Sequence, residues 1–70
     1  MTVEVFKTNI QRKRTAAKVK MELLILFPDC KINFDLDDCD RILRIESAVE
    51  VGTKIEEEMA RKGFYCEELR

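Results

Sequence analysis

The chain has 70 residues, enough for one small domain, because two hydrophobic cores need upwards of about 100 residues. With 46% hydrophobic and 39% charged residues, two Gly and one Pro, its composition is that of a folded, surface-charged globule. Thirteen Lys and Arg against fourteen Asp and Glu exclude the strongly basic balance of a nucleic-acid or membrane-surface binder, and the absence of histidine excludes every His-based triad, general base and metal cage.

At the start of the chain Val3 and Val5 alternate with Thr2, Glu4 and Phe6, the period of a strand, and polar Thr8 and Asn9 break it. This phase places Glu4 and Phe6 on the outward face of the strand. From about Gln11 the period changes: Ala16, Val19, Leu23 and Leu26 recur at three and four residues on one helical face, with Arg12, Lys13, Arg14, Lys18 and Lys20 mostly off it. Pro28 ends that helix, since the residue before a proline disfavours the helical region. Ile32, Phe34 and Leu36 then alternate with polar residues as a half-buried strand, and Asp37 to Asp40 form a turn. Arg41 to Glu46 is a further strand with Leu43 and Ile45 inward and Arg44 outward. Val51, Ile55 and Met59 mark a second helix, Lys62 and Gly63 its end, and Phe64 to Leu69 a closing strand.

The order strand, helix, strand, strand, helix, strand predicts an α+β, ferredoxin-like βαββαβ sandwich over residues 1–70, with two helices on one face of a four-stranded antiparallel sheet. The first loop, the hairpin around Cys39 and the Gly63 loop are expected at one end of the sheet, and Cys30 and Ser47 at the other. In the strand order four, one, three, two, Cys39 and Cys66 belong to opposite edges, roughly 14 Å apart at about 4.8 Å per strand. The three cysteines form no CxxC pair and read as free thiols in a reducing cytoplasm. The apolar run Leu23 to Phe27 is too short for a secretory leader or a membrane span, so a cytoplasmic protein is expected.

Val19, Leu23 and Leu26 on the first helix, Phe34, Leu36, Leu43 and Ile45 in the middle strands, and Gly63 before Phe64 make the chain resemble a heavy-metal-associated domain. This is the module of small copper chaperones and of the tails of metal-pumping ATPases. Its first loop reads Met-Thr-Cys-x-x-Cys; here Ile10 stands at the methionine, and Arg12 and Thr15 stand at the two metal cysteines. The glycine after the first helix is also missing. Soft-metal capture in that family needs two thiolates on one loop, so the resemblance implies the fold and withdraws the activity.

The candidate binding residues are Arg12, Lys13, Arg14, Lys18 and Lys20, because cations at a helix N-terminus oppose its dipole and invite an acidic partner or an anion at the Asn9 to Thr15 loop. In the resembled family the first helix and its loop face the partner. Charge is divided along the chain: residues 1–20 hold six basic groups and one acidic, residues 29–58 ten acidic and four basic. Asp35 to Glu46 has the length of a calcium loop, but Asp40 stands where that loop needs glycine, and Leu43 and Ile45 are core residues. Cys39 in an exposed acidic turn is expected to be a sluggish thiol, and Cys30 and Cys66 small core hydrophobes. On the outward sheet face Phe6, Ile42 and Tyr65 are a candidate apolar patch.

No nucleophile with a base, phosphate loop or cleft of paired carboxylates can be assembled from these residues, so no enzyme, no cofactor and no catalytic residue is expected. The sequence predicts a non-enzymatic interaction or adaptor domain whose partner is another protein or a second copy, with no nucleic acid, membrane or metal. The alternative is a divergent metal-binding protein or metallochaperone using Cys39 and Cys66 across a dimer.

Overall fold

The computed structural model describes residues 1–69, in the order β1 (Thr2–Thr8), α1 (Lys13–Leu26), β2 (Lys31–Asp35), β3 (Ile42–Ser47), α2 (Gly52–Arg61) and β4 (Cys66–Leu69). The strands form one sheet in the order β2-β3-β1-β4 with every pair antiparallel. One contiguous core joins Phe6, Leu43, Ile45 and Ile32 of the sheet to Ala16, Val19 and Leu23 of α1 and Ile55 and Met59 of α2. Both helices therefore cover the same sheet face, and the architecture is ferredoxin-like α+β.

The phase of β1 is the opposite of the expected one. Phe6 is fully buried opposite Leu43, and Glu4 is 5% exposed opposite Ile45, whereas Val3 is 54% exposed on the outer face. The expected phase would have turned Lys7 inward and left its ammonium in the core, a larger penalty than burying polar groups that find partners. Glu4 and Thr8 both find them: the Val51 N–H donates to Glu4 Oε1 at 2.8 Å, and the Thr8 hydroxyl donates to the Arg41 carbonyl at 2.6 Å. The predicted outward patch of Phe6, Ile42 and Tyr65 does not form, since Phe6 is core and Ile42 is only 8% exposed.

Helix α1 starts after Arg12, whose extended backbone is followed by the first helical bond from the Ala16 N–H to the Arg12 carbonyl. Ala16, Val19 and Leu23 are its buried stripe, and Leu24 and Phe27 pack beside them. Leu26 does not extend the stripe and is half exposed, because a step of three from Leu23 rotates it toward the flank while a step of four returns Phe27 to the core. The helix closes with the Phe27 N–H on the Leu23 carbonyl, and Pro28 prevents continuation.

Helix α2 ends in a Schellman turn. Gly63 has φ of 88°, its N–H bonds to the Ala60 carbonyl, and the Phe64 N–H reaches the Met59 carbonyl. The left-handed conformation is why glycine stands there. Beyond it β4 starts only at Cys66, so Phe64 and Tyr65 belong to the connection rather than to the strand. Among the described residues no helix is long and apolar enough to cross a membrane.

Candidate functional site

The loop after β1, the β2–β3 hairpin and the α2–β4 connection meet at one end of the sheet, as the topology requires. The Thr8 N–H bonds to the Asp40 carbonyl, the Ile10 N–H to Thr8 Oγ1, and the Tyr65 N–H to Asn9 Oδ1 at 3.1 Å. Among the described residues Arg41 is the one non-glycine residue with positive φ, and its guanidinium donates to the Leu36 carbonyl at 2.6 Å, closing the hairpin across its own turn. Among the described residues this bonded end seats Ile10, 1% exposed, as the floor from which α1 departs.

Arg12, Lys13, Arg14 and Lys18 are exposed on and just before α1, and Lys20 is half-buried. They do not form one patch. Lys13 and Lys20 line a groove of about 360 Å³ against Asn33, Phe34, Asp35 and Asp37 of the β2 edge, while Arg14 and Lys18 face Lys62 and Phe64 on the α2 side. The helical rotation of 100° per residue distributes them over both flanks. The ion pairs of the described residues are Lys7 with Asp40 at 3.7 Å, Arg61 with Glu58 at 3.5 Å and Lys62 with Glu22 at 2.9 Å, and none of them uses these five cations. The first turn of α1 contains no acidic residue, and its cap has no side-chain hydrogen bond. Lys62, by hydrogen bonding and charge, holds the exposed Glu22 carboxyl below the ordinary glutamate range, with Lys18 adding a weaker pull.

The N-terminus of α2 is the reverse case. Glu4 reaches it from β1, and a Cβ on Gly52 would collide with the carboxylates of both Glu4 and Glu68, so the glycine admits them. Sequence reasoning missed this cap because its two halves are 47 residues apart. The usable signal was the even phase Glu4, Phe6, Thr8, Ile10, in which the largest apolar residues of the segment fall together.

The cysteines stay apart. Cys66 lies on β4 opposite Thr8, on the edge of the sheet away from β2, and Cys39 is exposed in the turn beyond β2. Burial, reinforced by Glu56 and Glu68, pushes the Cys66 thiol up to about 12, which makes it a poor metal ligand or nucleophile. Cys30 and Cys66 are half-buried against the core. The donor atoms of Asp38, Cys39 and Asp40 lie within 4.8 Å of one another, but local structure engages both carboxylates: Asp38 Oδ1 accepts from the Asp40 N–H, and Asp40 pairs with Lys7.

No family model, curated protein or solved structure matches this chain.

Proposed function

We propose that this chain is a non-enzymatic interaction module of heavy-metal-associated type, without an intact metal motif, that docks an acidic protein partner through α1. The observation that carries this reading is the run Arg12 to Lys20: five cations, no acidic residue in the first turn, no capping side chain and no ion pair among the described residues. Of these cations, Arg12, Lys13 and Arg14 lie at the first turn, where an exposed cation costs roughly 0.3–1 kcal/mol. At α2 the Glu4 carboxylate meets the Val51 N–H, whereas the first turn of α1 has no such carboxylate among the described residues. Carboxylates on a partner offset that cost and steer the encounter. Arg12 and Thr15, where the resembled family carries its thiols, favour docking over metal transfer.

The test is quantitative affinity capture by the wild type and by the double variant Lys13→Glu/Lys18→Glu, with folding checked by circular dichroism. An acidic partner retained by the wild type and released by the double variant is the expected result. Identical capture by both proteins refutes the assignment to α1.

The second reading, a divergent metal binder, draws on the proximity of Asp38, Cys39 and Asp40. Amide-resolved NMR of the reduced protein titrated with Cu(I) and then Zn(II) separates the two. Stoichiometric shifts centred on Cys39 favour the metal binder, and their absence at large excess favours docking.

A further inference from the structure

The sheet has two edges, and they differ in one physical respect. Among the described residues β2 is hydrogen-bonded to β3 alone, which leaves a row of its backbone groups unpaired along its outer side, whereas on β4 the Glu68 N–H donates to Glu56 Oε2 of α2 at 2.9 Å. A second copy related by a two-fold axis perpendicular to the sheet pairs an edge with itself, antiparallel, and keeps both helix layers on one face. On β4 an axis at either of the two central residues sets Glu67 or Glu68 directly against its own counterpart, a like-charge contact that disfavours pairing. On β2 the strand reads Lys31, Ile32, Asn33, Phe34, Asp35. With the axis at Asn33, Lys31 of each copy stands opposite Asp35 of the other, and Ile32 opposite Phe34, so the strand is complementary to itself in charge and in apolar content.

We infer that the β2 edge is a homodimer interface, in which a second copy of this chain joins antiparallel about Asn33 and extends the sheet to eight strands. Lys31, Asn33 and Asp35 are exposed and lie on the outer face of the strand, and no proline or bulge blocks the edge, since Pro28 lies before it. The helix above this edge supplies the second contact. Helix α1 packs over β2, and its Lys13, Ala17 and Lys20 line the groove against Asn33 to Asp37. On the same side Leu24 is half-buried. The two-fold axis relates the two copies of α1 antiparallel, each beside its own β2 groove. The arrangement leaves Arg14 and Lys18 on the far flank, free for a different partner, so this inference does not depend on the docking proposed above. It also carries the two Cys39 turns to opposite ends of the joined edge, so the dimer does not assemble a shared thiolate site.

The test is sedimentation equilibrium over a range of concentrations on the wild type, on Lys31→Asp and on Asp35→Lys, with each variant's fold checked by circular dichroism and urea midpoint. Lys31→Asp sets acid against acid across the axis, and Asp35→Lys sets base against base. The expected result is twice the monomer mass for the wild type, monomer mass for each variant alone, and recovery of the doubled mass when the two variants are mixed, because the mixed pair restores both contacts. A wild type that stays monomeric at the highest concentration overturns the inference. So do variants that dimerise unchanged, which would assign the dimer to another surface.

Discussion

The buried contact between Glu4 and the start of α2 gives the sharpest test of the fold's logic. Replacing Glu4 by Ala removes the acceptor of the Val51 N–H, a bond of 2.8 Å made by a side chain 5% exposed. A buried donor left without a partner costs about 1–3 kcal/mol, and the lost carboxylate at a helix N-terminus adds up to about 1 kcal/mol. Relief of the crowding with Glu68 beside Gly52 works the other way, so the expected net loss is about 2–3 kcal/mol. In a domain of this size that lowers the melting temperature by roughly 10–20 °C. Glu4→Gln keeps an acceptor of the same shape without its charge and should lose about 1 kcal/mol, the difference between charged and neutral hydrogen bonds. Urea unfolding reads both values as midpoint shifts at constant slope. A loss below about 0.5 kcal/mol for Glu4→Ala would refute the cap, because the N–H would then be satisfied as well without the carboxylate.

Four further outcomes follow from the same structure. Phe6→Ala should cost about 3–5 kcal/mol and Val3→Ala under about 1 kcal/mol in urea unfolding, and the reverse order would restore the opposite phase of β1. Gly63→Ala should cost about 1–2 kcal/mol from its φ of 88° alone, because nothing lies within 4 Å of the added methyl; an unchanged urea midpoint would contradict the left-handed cap. A rise of the Cys66 thiol from 9.0 to about 12 lowers its thiolate fraction roughly a thousandfold, so iodoacetamide should label Cys39 well before Cys66, as read by mass spectrometry of timed samples. The raised value also fixes a sign. The unfolded chain sheds this proton first, so stability present below pH 9.0 is lost as the pH climbs toward about 12, and Cys66→Val should flatten that alkaline decline in urea midpoints.

The identity and order of the elements were legible in the sequence because period, turn residues and breakers act over a few residues. Ala16, Val19 and Leu23 at helical spacing, Pro28 after α1 and Gly63 after α2 each specify local geometry with little help from the rest of the chain. That order, through the topology, placed the Cys39 turn and the Gly63 loop at one end and separated Cys39 from Cys66. The phase of β1 was decided only in three dimensions. Alternation over Thr2 to Thr8 fits either face equally, and the choice rests on Phe6 meeting Leu43, on Glu4 meeting the Val51 N–H and on keeping Lys7 in water. The division of Lys13 and Lys20 from Arg14 and Lys18 on the two flanks of α1 is tertiary in the same sense, because a flank acquires meaning only from what packs beside it: β2 on one side, Lys62 and Phe64 on the other. The sequence by itself determined which elements exist and in what order, since that information lies within a turn or a strand. The faces those elements present depend on distant partners, such as Glu4 and Val51 47 residues apart, and only the folded chain brings those partners within hydrogen-bonding range.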